Sequence, residues 1–159
     1  MKSEIILWAD DEIDLLKPHV LFLRQKGYEV VTVTNGRDAL DKVEAGHFDL
    51  IILDENMPGL SGLETLSRIK ELAPQTPVVM ITKSEEEDIM NQAIGNKIAD
   101  YLIKPVNPNQ ILLSIKKNLY RKEIISEKTS SGYQQDFNRI NVQINDSLSW
   151  EDWYDVYRR

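Results

Sequence analysis

Five short apolar runs alternate along the chain with longer segments in which apolar residues recur at helical spacing. The runs occupy residues 4–9, 28–33, 48–53, 77–82 and 99–104. The third and fourth runs are continuously apolar and rich in Ile and Val, which is typical of strands buried on both faces of a parallel sheet. The alternation therefore predicts an α/β fold in which a five-stranded parallel sheet is doubly wound, with helices on both faces.

The segments between and after the runs predict five helices, each from its own apolar stripe. The stripe residues are Leu15, Leu16, Val20 and Leu23; Ala39, Leu40 and Val43; Leu63, Leu66, Ile69 and Leu72; Ile89, Ala93 and Ile94; and Ile111, Leu112, Ile115 and Leu119. Pro18 is expected to kink the first helix or to mark a local irregularity in it. Residues 83–88 are expected to begin the fourth helix, because acidic residues are favoured in a first helical turn.

The carboxyl ends of the predicted strands carry charged and polar side chains that can bind ligands. Ligands of such sheets bind at this edge, and the residues found there are Asp10, Asp11, Asn35, Gly36, Asp54, Thr82 and Lys104. Three carboxylates in one cleft repel one another unless a hard cation lies between them, and Mg²⁺ takes oxygen ligands of this kind. An acid pair alone is equally typical of a plain helix N-terminus, so the predicted magnesium site depends on Asp54 joining the pair.

Thr82 and Lys104 extend the predicted site beyond the acids. A hydroxyl group donates a hydrogen bond and an ammonium group supplies a positive charge, so both suit a phosphoryl group carried on a carboxylate. Taken singly, Thr82 is more often a helix cap and Lys104 a solvated strand end. Their positions on one edge of the sheet favour the phosphoryl interpretation. Lys104 also precedes Pro105, and an X-Pro peptide bond can be cis.

Composition narrows the classes of function. The 159 residues carry a formal net charge of −7 and include no cysteine, so disulfides and thiolate metal sites are excluded. An acidic chain lacks the basic excess that grips nucleic acid phosphates, which disfavours direct nucleic acid binding. No apolar stretch approaches the ~20 residues of a membrane-spanning helix. We therefore expect a soluble, cytoplasmic protein that binds neither nucleic acid nor a membrane.

The motifs at the strand ends resemble a known family. The acid pair at residues 10–11, the segment LDENMPG around Asp54, Thr82, and the segment YLIKP at 101–105 are similar in order and spacing to the receiver domain of two-component response regulators. The resemblance extends over residues 3 to about 120. It implies a flavodoxin-like receiver fold, Mg²⁺ as cofactor, and a phosphorylation-controlled signalling function in which a sensor histidine kinase is the phosphodonor and the chain itself is not an enzyme.

The resemblance also implies a role for each residue of the site. Asp54 is the phosphoacceptor. Asp11 and Asp54, together with the backbone carbonyl of Asn56, bind Mg²⁺. Asp10 holds the ion through water, and Lys104 pairs with the phosphoryl oxygens. The chemistry agrees, because a carboxylate can accept a phosphoryl group covalently while its surroundings neutralise the charge.

A switch is implied by the same resemblance. Thr82 is expected to move toward the phosphoryl oxygens, and this movement is coupled to the aromatic ring of Tyr101. The responsive surface then consists of the fourth helix, the fifth strand and the fifth helix, through which homodimerisation on phosphorylation is expected. A transcription factor, a sigma factor and an attached output domain are the alternatives for the downstream partner.

Lys83 departs from the family pattern. Receivers usually have a small residue directly after the threonine, which leaves a path to the aspartate. A lysine at this position is expected either to narrow that path or to contact an acid. We therefore expect Lys83 to affect the rate of phosphorylation and the choice of phosphodonor.

The last part of the chain predicts a helical extension. We expect a receiver domain at residues 1–122 and an extension at 123–159 that forms part of an incomplete helical bundle leading to an output domain. The fifth helix is expected to run to about Lys128, and residues 129–132 to break it. Two further apolar helical faces are predicted, formed by Phe137, Ile140 and Ile144, and by Trp150, Trp153, Tyr154 and Tyr157 behind a Ser149 cap.

Both ends of the chain resemble one subgroup of response regulators. The segments WADDEIDLLKPH and SLSWEDWYDVYRR are similar to PorX-type regulators of the type IX secretion system. In that group a receiver is followed by a helical bundle and a PglZ-type phosphatase-like domain. The resemblance implies that this output domain is missing from these residues, so no hydrolase activity is expected of them.

Two other functions are open at this point. One is a Mg²⁺-dependent phosphohydrolase with an aspartyl-phosphate intermediate. Such an enzyme usually needs a second acid that activates water and a substrate cap, whereas residue 56 is Asn and the loops are short. The other is a receiver fold that serves as a docking module without phosphotransfer. The intact set of acids argues against that function, and Lys83 argues for it.

Overall fold

The computed structural model describes the backbone of residues 3–127 and the side chains of residues 3–120. The five predicted strands are present: β1 is Ile5–Ala9, β2 is Glu29–Val33, β3 is Leu50–Leu53, β4 is Val78–Thr82 and β5 is Asp100–Ile103. All neighbouring strands are parallel, in the order β2-β1-β3-β4-β5. This doubly wound order confirms the predicted fold class and brings the carboxyl ends of the strands to one edge of the sheet.

Helices follow the strands along the chain. A 3-10 turn at Ile13–Leu16 leads into α1, and the helices are α1, Lys17–Gln25; α2, Gly36–Ala45; α3, Gly62–Leu72; α4, Glu87–Gly95; and α5, Pro108–Glu127. Local chemistry sets two of the helix starts. Asn35 caps α2 by accepting a 2.8 Å hydrogen bond from the N–H of Asp38, and Ser61 and Glu64 form a reciprocal capping box at the start of α3.

The sheet is buried on both of its faces. Consecutive residues of a strand point to opposite faces, and all residues of β1 from Ile6 to Ala9 are fully buried, as is every residue of β3 and β4. On one face, Leu53 and Met80 belong to the same apolar cluster as Leu66 of α3 and Ala93 of α4. The continuous apolar runs of the sequence therefore correspond to doubly covered central strands.

Three residues of the predicted helical stripes do not face the core. Leu15 is 73% exposed, Leu72 48% and Ile94 66%. Leu15 lies in the 3-10 turn, where the period of three residues per turn directs side chains differently from an α-helix. Leu72 and Ile94 lie in the last turns of α3 and α4. These three members of the predicted stripes therefore lie outside the core.

The starts of α1 and α4 bear on two further predictions. Pro18 does not kink α1, because it lies in the first helical turn, where the missing N–H of a proline has no intrahelical partner to lose. The local irregularity is the 3-10 turn that precedes it. The fourth helix begins at Glu87 rather than at residue 83, because Ser84 is held in a loop by the hydrogen bonds described below.

The described backbone divides into two compact units, one that ends at Pro105 and one that begins at Val106. The first unit contains the whole sheet and the helices α1–α4, and its Lys104–Pro105 peptide bond is cis. The second contains α5. The predicted break at 129–132 and the predicted apolar faces at 137–144 and 149–157 lie outside the described residues. Among residues that the structure describes, no helix is long and apolar enough to cross a membrane.

Candidate functional site

Three carboxylates meet at the carboxyl edge of the sheet. The strand register pairs Ala9 of β1 with Leu53 of β3, so the next residue on each strand is an aspartate, Asp10 and Asp54. One carboxylate oxygen from each of Asp10, Asp11 and Asp54 lies within 4.8 Å of the other two. Asp10 and Asp54 are buried and Asp11 is exposed. The structure thus brings the three predicted acids together in a cluster that is open to solvent on one side.

The ammonium group of Lys104 lies among these acids. Its Nζ donates a 2.7 Å hydrogen bond to Asp10 Oδ2 and lies 3.5 Å from Asp54 Oδ2. The end of β5 is held beside β4 by the hydrogen bond from the N–H of Lys104 to the carbonyl of Thr82, 2.9 Å. The lysine side chain is only 9% exposed. One positive charge faces three carboxylates, so the cluster keeps an excess of negative charge.

Burial and charge shift two pKa values in the cluster. Burial raises the pKa of Asp10, and the hydrogen bonds from Lys104 and from the N–H of Glu12 oppose burial without cancelling it. Burial lowers the pKa of Lys104, but its hydrogen bond to Asp10 and the charges of Asp10 and Asp54 raise that pKa overall. Lys104 therefore stays charged, whereas burial disfavours the charged form of Asp10.

The donor set of the cluster fits a magnesium ion. Mg²⁺ prefers oxygen ligands and usually keeps several waters beside one or two protein carboxylates. The cluster supplies three carboxylates, and the exposure of Asp11 leaves room for water. Asn56, whose carbonyl was predicted as a ligand, is exposed in the loop after Asp54. The excess of negative charge in the cluster favours a bound cation.

The loop after Asp54 is fastened to the start of α3. The buried carboxylate of Glu55 accepts a 2.8 Å hydrogen bond from the N–H of Leu63, and the carbonyl of Glu55 accepts one of 2.8 Å from the N–H of Gly62. A Cβ on Gly62 would lie 2.6 Å from the Cα of Glu55 and 2.9 Å from the carbonyl carbon of Asp54, so only glycine permits this approach. Burial raises the pKa of Glu55, although the bond from Leu63 opposes it.

Ser84 connects the two residues that were predicted to form the switch. Its N–H donates a 3.3 Å hydrogen bond to the hydroxyl of Thr82, and its carbonyl accepts a 2.9 Å hydrogen bond from the hydroxyl of Tyr101. Thr82 is fully buried and Tyr101 is half-buried. Hydrogen bonds therefore link Thr82 and Tyr101 through a single intervening residue. The sequence did not identify Ser84 or Glu55 as site residues, because neither belongs to a distinctive motif.

Lys83 contacts an acid, which is one of the two outcomes expected for it. Its Nζ lies 3.3 Å from Glu12 Oε1, with the two side chains 66% and 40% exposed. Lys83 also lines an open cavity of about 480 Å³ together with Asn56, Ser84, Glu85, Glu86 and Ile89. The approach to Asn56 from this side therefore passes Lys83.

Two family models match the chain. Residues 6–116 match the response regulator receiver domain, and residues 123–159 match the PorX response regulator linker domain. The alkaline phosphatase synthesis transcriptional regulatory protein PhoP of Bacillus subtilis (strain 168) is 31% identical over 154 residues, which are 96% of this chain and 62% of PhoP. The transcriptional regulatory protein ZraR of Escherichia coli (strain K12) is 31% identical over 135 residues, 85% of this chain and 31% of ZraR. The chain thus spans less than two thirds of these relatives.

Solved structures show the same fold. A CheY-like response regulator receiver domain protein from Methanospirillum hungatei JF-1 superimposes with a TM-score of 0.74 at 29% identity, covering 77% of this chain and 98% of that one. The response regulator TrrA of Thermotoga maritima, whose crystal structure is a complex with Mg²⁺-BeF, gives a TM-score of 0.67 at 31% identity, with 74% of this chain and 100% of TrrA covered.

The doubly wound sheet and the acidic pocket at its carboxyl edge define a CheY-like receiver of two-component signalling. The chain belongs to the response regulator receiver domain family, and its residues 123–159 match the linker of PorX response regulators. The resemblance predicted from the strand-end motifs is therefore confirmed. Receiver domains bind Mg²⁺ at an acidic pocket, are phosphorylated by sensor kinases and often dimerise.

Proposed function

We propose that Asp54 is the phosphoacceptor of a phosphorylation-controlled switch. The observation that carries this proposal is the position of Lys104 Nζ, 3.5 Å from Asp54 Oδ2 and 2.7 Å from Asp10 Oδ2. An Asp54 oxygen attacks the phosphorus of a phosphohistidine on a sensor histidine kinase, and the phosphorus–nitrogen bond breaks as the imidazole keeps the electron pair and takes up a proton. The ammonium of Lys104 then neutralises charge on the transferred phosphoryl oxygens.

The metal site of this proposal uses the same acids. Asp11, Asp54 and the backbone carbonyl of Asn56 are the proposed ligands of Mg²⁺, and Asp10 is proposed to contact the ion through water. When bound, Mg²⁺ supplies positive charge that offsets the repulsion between the phosphoryl group and the carboxylates. Asp10 keeps Lys104 oriented through their 2.7 Å hydrogen bond.

Thr82 and Tyr101 are the proposed switch residues. A phosphoryl group adds strong hydrogen-bond acceptors beside Asp54, and the hydroxyl of Thr82 is the donor we propose for it. Movement of Thr82 alters its bond to the N–H of Ser84, whose carbonyl is bonded to Tyr101. The signal then reaches β5, which carries Tyr101, and α4, which begins three residues after Ser84.

Homodimerisation on phosphorylation is the proposed response, through the α4-β5-α5 surface of the family. Ile94 on α4 supports a contact surface there, because it is a large apolar side chain that is 66% exposed. Analytical ultracentrifugation with and without acetyl phosphate tests this step, and a phosphorylated protein that stays monomeric at high micromolar concentration would contradict it.

The chain is proposed to act as a module of a longer, cytoplasmic PorX-type regulator. Residues 1–122 form the proposed receiver, and residues 123–159 the helical extension toward an output domain, with a link to type IX secretion suggested by the PorX linker match. A transcription factor, a sigma factor or that output domain is the proposed downstream partner. The chain itself is proposed to bind neither nucleic acid nor a membrane, and to turn over no substrate.

One experiment separates the switch from the phosphohydrolase alternative. The protein is incubated with Mg²⁺ and p-nitrophenyl phosphate at increasing protein concentration, and released nitrophenol is counted per chain. The switch predicts no sustained turnover, because residue 56, two positions after Asp54, is Asn and not the acid that such a hydrolase uses to activate water. Many turnovers that disappear in Asp54→Asn would establish the hydrolase instead.

A further inference from the structure

The ion pair between Lys83 and Glu12 joins the loops that follow the two strands flanking the central strand. Glu12 follows the acid pair at the end of β1, and Lys83 follows Thr82 at the end of β4. The strand order places β3 between β1 and β4. Neighbouring strands lie about 4.8 Å apart, so the two loops are separated by roughly 10 Å. The Lys83–Glu12 bridge therefore joins the two loops on either side of the loop that begins with Asp54, the first residue after β3.

We propose that the Lys83–Glu12 bridge restricts the access of phosphodonors to Asp54 and thereby discriminates against small ones. This inference rests on the proposed role of Asp54 as phosphoacceptor. Lys83 also lines an open cavity together with Asn56, which lies two residues after Asp54 in the chain. A small donor reaches the aspartate only while the bridge is open. A protein donor that contacts Glu12 or Lys83 with its own charged side chains opens the bridge as it binds.

Hydrogen bonds fix the backbone that carries each partner of the ion pair. The N–H of Glu12 donates a 2.8 Å hydrogen bond to Asp10 Oδ1, which fixes the backbone that carries the carboxylate. Lys83 lies between Thr82 and Ser84, whose mutual hydrogen bond fixes the other loop. The side chains themselves are 66% and 40% exposed. A fixed backbone with exposed side chains gives a contact that forms in one geometry but opens easily.

The strength of an exposed ion pair limits the expected effect. Such pairs favour the closed state by a modest factor, so the opening of the bridge raises the rate of phosphorylation by roughly three- to sixfold. An electrostatic role for Lys83 predicts the opposite change in the rate of phosphorylation. If Lys83 attracted the anionic donor to the acidic cluster, its removal would slow phosphorylation.

The test measures rate constants of phosphorylation by acetyl phosphate with Mg²⁺, from intact mass against time. The variants are Lys83→Ala, Glu12→Ala, the double variant, and the charge exchange Lys83→Glu with Glu12→Lys. Lys42→Ala is the matched control, because Lys42 is an exposed lysine in the last turn of α2. We expect both single variants to react about three- to sixfold faster than the wild type, the double variant to gain nothing more, and the charge exchange to restore the slow rate.

Ionic strength adds an independent readout. Added salt weakens an exposed ion pair, so the ratio of variant to wild-type rates is expected to approach one at high salt. A ratio that does not depend on salt would overturn the proposal.

The remaining outcomes separate the bridge from the proposed function. Equal rates in all variants, or a slower Lys83→Ala, would overturn the bridge and leave Asp54 as the acceptor. No phosphoryl group on any variant that retains Asp54 would overturn both. Phosphorylation of Lys83→Ala together with an unreactive wild type would be the strongest support for restricted access.

Discussion

Two lysines reach toward carboxylates at the same edge of the sheet, and their surroundings differ. Lys104 lies 2.7 Å from Asp10 with 9% of its side chain exposed, whereas Lys83 lies 3.3 Å from Glu12 with 66% exposed. The buried contact shapes the acid cluster and holds its charge, because neither partner can turn to water. The exposed contact can open without leaving a buried charge. Burial, rather than residue type, separates a contact that builds the site from one that controls access to it.

The largest expected effect is on stability, and it compares the two lysines directly. Lys104→Met removes the partner of a buried acid and is expected to lower the free energy of unfolding by about 3 kcal/mol. Lys83→Met makes the same change at the exposed contact and is expected to cost less than about 1 kcal/mol. Urea denaturation without Mg²⁺ measures both values. Equal losses would show that burial does not distinguish the two contacts.

Magnesium is expected to stabilise the fold by binding the acid cluster, and not through the Lys83–Glu12 ion pair. At a hundredfold excess over its dissociation constant, a ligand that binds only the folded state stabilises it by about 2.7 kcal/mol. Asp11→Asn is expected to lose most of this stabilisation, and Glu12→Gln, one residue further along the chain, to keep it. Thermal unfolding with and without MgCl₂ measures the difference. An equal response of the two variants would contradict the assigned metal ligands.

Close packing around Asp54 is expected to make the neighbouring glycine intolerant of substitution. Gly62→Ala places a Cβ against the backbone of Asp54 and Glu55 and is expected to destabilise the fold by about 2 kcal/mol. Gly95→Ala is the matched control, because a Cβ there meets no atom within 4 Å. Alanine is also the better helix former by up to about 1 kcal/mol. Chemical denaturation measures both variants. A smaller loss of unfolding free energy for Gly62→Ala than for Gly95→Ala would contradict the close approach of α3 to the backbone of Asp54 and Glu55.

A modest stability effect is expected at the switch. Tyr101→Phe removes the donor to the carbonyl of Ser84 and is expected to cost about 1 kcal/mol. Its phosphorylation should equal that of the wild type, because the lost hydroxyl donates to the carbonyl of Ser84 and not to a residue of the acid cluster. Its dimerisation on phosphorylation should be weaker. Mass spectrometry and sedimentation measure the two responses, and a variant that dimerises normally would remove Tyr101 from the switch.

The sheet and the acid cluster could be predicted because one pattern determines both. Parallel strands covered on both faces need continuous apolar runs, such as 48–53, and their carboxyl ends share one edge. Acids that end two such runs, at Asp10 and Asp54, become neighbours once β1 and β3 pair. The apolar runs that predict the sheet therefore also predict which acids meet at its edge.

The contacts between loops could not be predicted in this way. Lys83 and Glu12 are 71 residues apart in the chain, and their contact depends on the strand order and on side-chain conformations. Glu55 resembles any acid of a surface loop until the approach of α3 buries it. The exposure of Leu15 depends on a single 3-10 turn, which the apolar pattern does not distinguish from the first turn of an α-helix.

The central claim is that Asp54 accepts a phosphoryl group at this cluster. Intact mass after incubation with acetyl phosphate and Mg²⁺, for the wild type and for Asp54→Asn, tests it most directly. Lys83→Ala is included so that restricted access cannot hide the reaction. We predict one added phosphoryl group in the wild type and in Lys83→Ala, and none in Asp54→Asn. An added group in Asp54→Asn, or no added group in either protein that retains Asp54, would contradict the claim.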